Sequence, residues 1–237
     1  MTIGIVIPST PLYSETFFET EINILCSEGI KVHLFVWKKE PNYRTDVNVY
    51  QEVQLSKNPL SKAVKVILVL LYAVIFYPTR LRRYWTLMNK QKLNFKTKTR
   101  RLISNHHILK TSRLDYLHFG YASMTTDKED LAKVIGTKML VSLRGADIGM
   151  VPIFNKGIYD KLWPHVNKVH AASQDLLLKA KKVGMPKNLN VKVIYPPLAQ
   201  HFVSAKRNRF GFKHGQRMNI VTVARLHWKK GINHTLK

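Results

Sequence analysis

The chain has 237 residues and is 45% hydrophobic, enough to bury a real core and to exclude a disordered tail. Thirty-nine Lys and Arg against 14 Asp and Glu leave a net charge of +25. That surface attracts polyanions: nucleic acid, anionic lipid head groups or sugar-nucleotide diphosphates. A single cysteine, Cys26, excludes an internal disulfide and a thiolate metal cluster and fits a reducing, cytosolic setting.

Short apolar runs alternate with helical patterns, the pattern of βαβ units and a mainly parallel sheet. Strands are predicted at Ile3–Ile7, Val32–Val36, Tyr116–Phe119, Met139–Leu143, Lys168–Ala172, Val191–Tyr195 and Ile220–Val223, with a weaker one near Val47–Val53. The first run ends too early, and lacks the basic residues, for a secretory signal. In the first helix Ser14 is a cap and Glu15 suits the dipole. Phe18, Ile22 and Leu25 form its apolar stripe and Gly29 stops it. A similar unit has Ser173 as cap, Asp175 in the first turn, Leu177 and Ala180 on one face, and Gly184 as stop. The expected fold is α/β, a Rossmann-like doubly wound parallel sheet over residues 1–196.

Residues 60–110 interrupt this rhythm as a helical insert. Val66–Tyr77 is an apolar run shorter than the roughly 20 residues that span a bilayer. A basic stretch with Arg80, Arg82, Arg83, Lys90 and Lys92 follows it. Helices are predicted over 61–77 and 79–92, separated by Pro78. Two readings stay open: a buried helix beside a solvated basic one, or an interfacial element docking on a membrane. His106 and His107 point to different helix faces, a poor metal site, and are expected at the surface.

Residues 197–217 read as an interdomain linker, and 218–237 as the start of a second domain that stops six residues past Gly231. There Arg225 and Lys230 lie five residues apart at a strand-to-helix junction, a spacing that converges on one anion. The bland alternative is a pair of solvated cations. The loops after the other strands lie where ligands bind in parallel sheets. They place Ser14, Glu15 and Thr16 either as helix caps or against a ligand. His118 is a structural or a catalytic histidine at a strand's carboxyl end. Asp147, just past Gly145, binds hydroxyls or caps the next segment.

Four segments carry a family likeness, in order: Pro11-Leu-Tyr-Ser-Glu-Thr-Phe17, Leu117-His-Phe-Gly120, Val141-Ser-Leu-Arg-Gly-Ala-Asp-Ile148 and Ala224-Arg-Leu-His-Trp-Lys-Lys-Gly231. On these the chain resembles the N-terminal half of family 4 retaining glycosyltransferases of the GT-B fold, nearest the colanic-acid and exopolysaccharide group. The resemblance implies an acceptor-side domain facing a truncated nucleotide-sugar domain, and transfer from a nucleoside-diphosphate sugar to a glycan or lipid-linked acceptor. It implies that Arg225 and Lys230 bind the donor diphosphate, with no metal and no cofactor beyond the donor. Many relatives carry His where this chain has Arg144. Arg cannot act as a base, so Arg144 would be an electrostatic clamp. The family's paired glutamates lie beyond Lys237, so the isolated chain is expected to be inactive. The expected location is the cytoplasm, peripheral to the inner face of an anionic membrane. The rival readings are a basic module for nucleic acid or membrane, or an inactive remnant. No RNP, zinc-finger or helix-turn-helix signature organises the cations for a specific nucleic acid.

Overall fold

The computed structural model describes residues 1–11, 16–44, 46–196, 215, 221–224, 226 and 228–235. The chain divides into two units, Met1–Ala199 and Gln200–Lys237. In the first, seven strands form one parallel sheet: β1 (Thr2–Ser9), β2 (Lys31–Lys38), β3 (Asn48–Gln51), β4 (Tyr116–Phe119), β5 (Lys138–Leu143), β6 (Lys168–Ala171) and β7 (Asn190–Val193). Their order is β3-β2-β1-β4-β5-β6-β7. Crossover segments contain α1 (Thr16–Ser27), α2 (Pro59–Phe76), α3 (Pro78–Lys90), α4 (Phe95–Leu109), α5 (Leu131–Ile135), α6 (Gly145–Gly149), α7 (Val151–Phe154) and α8 (Gln174–Lys182). This is the Rossmann-like α/β fold expected from the sequence.

The path explains which face each helix covers. From β1 to β2 the chain steps one way along the sheet, and from β3 onward it steps the other way. Right-handed crossovers therefore put α1 on one face and the later helices on the opposite one. The packing agrees, because alternate residues of one strand enter different clusters. Ile5, Ile7, Leu34 and Val36 pack with Phe18 and Ile22 of α1. Val6, Phe35, Leu117, Phe119 and Val141 join the cluster containing Tyr84, Leu102 and Ala180.

Local signals act as read. Gly29 has φ +73°, and the Ile30 amide donates to the Leu25 carbonyl at 3.0 Å, closing α1. Ser173 Oγ accepts from the Leu176 amide at 3.3 Å, and Gly184 follows α8 with φ +93°. The buried face of α8 is Leu176 and Ala180, whereas Leu177 is half-buried.

The insert bears on the expectations at three points. First, α2 has 18 residues and starts at Pro59, with Asn58 Oδ1 accepting from the Leu60 and Ser61 amides at 2.9 and 3.3 Å. By length and composition alone it is long and apolar enough to cross a membrane. Lys62 and Lys65 interrupt the apolar run without interrupting the helix. Second, of the two readings left open for the apolar run, the buried helix fails, since Val69 and Ala73 are the buried residues of α2. Third, His106 and His107 are not at the surface but 6% and 1% exposed. Tyr77 Oη lies 2.7 Å from His106 Nδ1, and the Phe35 ring sits 5.9 Å from that of His107. Burial pushes these imidazoles down to about 4 and about 3, so both are neutral at pH 7.

In the second unit a 3-10 turn, Trp228–Lys230, precedes α9 (Ile232–Thr235). The strand predicted at Ile220–Val223 does not form across Val221–Val223, and Ile220 lies outside the described residues. Val221 and Val223 are 82% and 93% exposed, and no described residue offers them a ladder. An apolar run without a pairing partner stays unpaired.

Candidate functional site

The site is built where β1, β4 and β5 end beside α1. Arg144 leaves β5 in extended backbone and precedes α6, and it is 8% exposed. Its guanidinium lies 4.3 and 4.5 Å from the Phe17 and Phe18 ring centroids and 5.9 Å from that of Tyr121. Nε donates to the Gly120 carbonyl at 3.0 Å, and the Nη2 amine donates to Glu21 Oε2 at 3.3 Å. Burial lowers the Arg144 pKa and the Glu21 charge opposes that shift. A guanidinium starts so high that it stays cationic. The aromatic faces and one carboxylate thus hold a desolvated charge in place.

Gly120 makes room for this arrangement. A Cβ there would lie 2.7 Å from both Ile7 Cγ2 and Phe18 Cζ. Only a residue without a side chain lets Phe18 close over the end of β4.

Beside Arg144 runs a polar row across three strands. His118 Nε2 lies 2.8 Å from Ser142 Oγ, which lies 2.9 Å from His170 Nδ1. His170 Nε2 lies 2.9 Å from the Ile194 carbonyl. A carbonyl only accepts, so His170 carries its proton on Nε2. With Nδ1 of His170 as an acceptor, that nitrogen takes the Ser142 hydroxyl proton, and the Ser142 oxygen accepts from Nε2–H of His118. This leaves Nδ1 of neutral His118 as a lone pair, 3.5 Å from Glu21 Oε1. His118 is 2% exposed, and burial pushes its pKa down to about 4 against the opposing pull of Glu21.

These groups border a cavity of about 330 Å³, lined by Glu21, His118, Arg144 and His170 among apolar walls including Phe17 and Ile194. It opens on the sheet face that α1 covers over β1 and β2. Beyond β1 that face carries Tyr116, His118, Ser142 and His170, because Leu117, Phe119, Val141 and Val169 point to the other core.

Of the residues named from the sequence, Arg144 and His118 come together, bridged by Glu21. Asp147 faces elsewhere. Its carboxylate accepts from the Ala122 amide, from the Ser123 amide at 2.8 Å and from the Tyr159 hydroxyl at 3.3 Å. Burial raises its pKa and these bonds oppose that. The geometry is that of a cap on the 3-10 turn Ala122–Thr125. Thr16 is exposed at the start of α1, and its carbonyl accepts from the Thr20 hydroxyl at 2.9 Å. Ser14, Glu15 and Arg225 lie outside the described residues. Lys230 ends the 3-10 turn of the second unit and is exposed.

Sequence reasoning missed Glu21, Ser142 and His170 as site residues. The signal for two of them was present: a single polar residue inside each apolar run, as in Val141-Ser142-Leu143 and Val169-His170-Ala171. Their register, Ser142 opposite His170, aligns them. Glu21 gave no such signal, since a helical glutamate is ordinarily solvated. Among the described residues no group of three or more His, Cys, Asp or Glu is placed to hold a metal ion.

Fold and site define an α/β protein of the doubly wound class with an arginine- and histidine-lined cleft. No protein-family model matches the chain, and no curated protein matches it. Among solved structures, HepE from Anabaena in complex with UDP-glucose aligns with a TM-score of 0.48 at 11% identity, covering 84% of this chain and 44% of HepE. HepE with UDP and glucose aligns with a TM-score of 0.47 at 12% identity, covering 84% and 45%. The chain spans less than half the length of HepE.

Proposed function

We propose that this chain is the acceptor-side part of a retaining glycosyltransferase, passing a sugar from a nucleoside diphosphate to a glycan or lipid-linked acceptor in surface polysaccharide synthesis. The observation that carries the reading is the Arg144–Glu21–His118 cluster in an open cleft, with Arg144 and His118 supplied by two of the segments that resemble the family and Glu21 by α1. His118 is a poor general base, since a pKa of about 4 lies far from neutral pH. Its lone pair instead holds the acceptor hydroxyl as a hydrogen-bond acceptor, while Arg144 attracts an anionic group of the acceptor or donor. Arg225 and Lys230 neutralise the charge that develops as the diphosphate leaves, favouring the transition state over the ground state. The sugar's bond to the phosphate oxygen breaks as its bond to the acceptor oxygen forms, and the proton of the acceptor hydroxyl passes to the departing diphosphate oxygen. The protein works in the cytoplasm, in peripheral contact with an anionic membrane that presents the acceptor.

The test is incubation of the enzyme that joins this chain to its donor-side part with radiolabelled UDP-, GDP- and ADP-sugars and either membranes of the source cell or water-soluble oligosaccharides, the chain alone being expected to transfer nothing. Label is expected in the lipid or glycan fraction, and Arg144→Ala is expected to lower transfer at least tenfold. No transfer from any donor, with DNA binding that survives physiological salt, would favour a nucleic-acid module instead.

A further inference from the structure

The outward side of α2 is an apolar stripe. Leu60, Val64, Ile67, Leu68, Leu71 and Ile75 recur at three- and four-residue intervals, which aligns them along one face. They are 48–74% exposed and lie opposite Val69 and Ala73, which seat the helix on the body. Lys62 and Lys65 fall outside the stripe, and Lys65 Nζ donates to the Gln54 carbonyl at 3.0 Å.

Three residues past Phe76 a second feature begins. A groove of about 600 Å³ is lined by Thr79, Arg82, Arg83, Thr86 and Lys90 of α3 and by Lys133 of α5. Its four cations are joined by no carboxylate, and none of them has an ion-pair partner among the described residues; of the two hydroxyls, that of Thr86 donates to the Arg82 carbonyl at 2.9 Å. Cations gathered without an acid suit the oxygens of a phosphate.

We propose that α2 lies in the interface of an anionic bilayer and that the groove of Arg82, Arg83, Lys90 and Lys133 takes a phospholipid head-group phosphate. The pairing of the two features selects this occupant. A soluble polyanion would use the cations and leave the stripe in water, and an apolar protein surface would use the stripe and leave the cations unmatched. The helix lies along the bilayer rather than across it because its C-terminal end is tied to the body. The Tyr72 ring packs 5.2 Å from His106, and Tyr77 hydrogen-bonds the same imidazole. Amphipathic docking of this kind adds buried apolar area to head-group attraction. The inference rests on the membrane contact in the proposed function and assigns the lipid chemistry it recognises.

Co-sedimentation with vesicles tests it, using phosphatidylcholine alone or mixed with phosphatidylglycerol. Wild-type protein is expected to pellet with the mixed vesicles and far less with the neutral ones. At about fivefold per well-placed cation, Arg82→Gln/Arg83→Gln/Lys133→Gln is expected to lower partitioning on the order of 100-fold. A control of equal charge loss on another surface, Lys161→Gln/Lys181→Gln/Lys182→Gln, is expected to lower it less than tenfold. Leu68→Gln/Leu71→Gln is expected to weaken binding at least tenfold. These side chains are solvent-exposed, so circular dichroism should match wild type. Equal losses in the groove and control variants would overturn the head-group site, as would equal binding to both vesicles. Groove-dependent binding of inorganic phosphate without vesicle binding would overturn the bilayer as occupant. The assay contains no sugar nucleotide, and transfer to a water-soluble oligosaccharide needs no lipid, so either reading can fail without the other.

Discussion

Glu21 and Arg144, 123 residues apart, meet at 3.3 Å in the cleft, and the second oxygen of the same carboxylate faces His118. Glu21 therefore holds one cation and raises one imidazole pKa against burial. Replacing it with glutamine removes both effects. We predict that Glu21→Gln costs about 1–2 kcal/mol in urea unfolding, because Arg144 keeps its aromatic contacts but loses its counter-charge. It also moves the His118 titration further down. An upward shift in an NMR titration would contradict the assignment.

The hydrogen-bond row anchored on the Ile194 carbonyl predicts one tautomer for His118, with the proton on Nε2. Nitrogen-15 NMR reads this directly, and a proton on Nδ1 at neutral pH would sink the chain of donors and acceptors. Ser142→Ala leaves one donor and one acceptor unpaired and is expected to cost about 1–3 kcal/mol.

Arg144→Lys keeps the charge and loses the plane. Lysine has no fork to lie over Phe17 and Phe18 while donating to Gly120, so a loss of about 1–3 kcal/mol is expected in thermal or urea unfolding. A variant as stable as wild type would show that the stacking contributes nothing.

Gly120→Ala drives a methyl group into Ile7 and Phe18. Both neighbours are 0% exposed and have no room to yield. The expected loss is about 1–3 kcal/mol, with the near-ultraviolet aromatic signal altered at the site. An unchanged midpoint would mean that the end of β4 is looser than its contacts imply.

Acid should weaken the fold over a defined window. His106, His107 and His118 have pKa values depressed to about 4, about 3 and about 4, whereas an unfolded histidine titrates near about 6.5. Between those values the unfolded chain binds protons that the folded one refuses. Their contribution is present above pH 6.5 and is lost as pH falls from about 6.5 toward about 4. Urea midpoints measured across this range are expected to fall. His107→Gln should flatten the slope by close to one proton, and an undiminished slope would place the effect elsewhere.

Much of the sheet was legible because parallel strands are covered on both faces and read as continuous apolar runs, as in Ile3–Ile7 and Met139–Leu143. Ser173, Gly29 and Gly184 were legible for a local reason: a cap or a left-handed residue acts within a few positions of itself. His107 was not, because its burial depends on Phe35, a strand residue reached only through the crossover. The exposure of α2 was left open by the same logic in reverse. An apolar helix reads as buried or as interfacial until something shows whether its outer side has a partner to pack against. Arg144 and His118 were legible as members of motifs, whereas Glu21 became a site residue only once α1 was set against β4 and β5.

The pairing of β1 with β4 also orders events during folding. The Thr2 amide donates to the Asp115 carboxylate 113 residues on, and the centre of the sheet closes only after all intervening chain is placed. Helices α2 to α4 form within that interval from local contacts, and closing a long loop is slow. Stopped-flow circular dichroism is expected to show helical signal before β1 gains amide-exchange protection; simultaneous appearance would contradict this order. On that schedule, the apolar stripe of α2 is available while the sheet is still open. A nascent chain can then meet a bilayer, or another unfolded copy of itself, before its own core is complete.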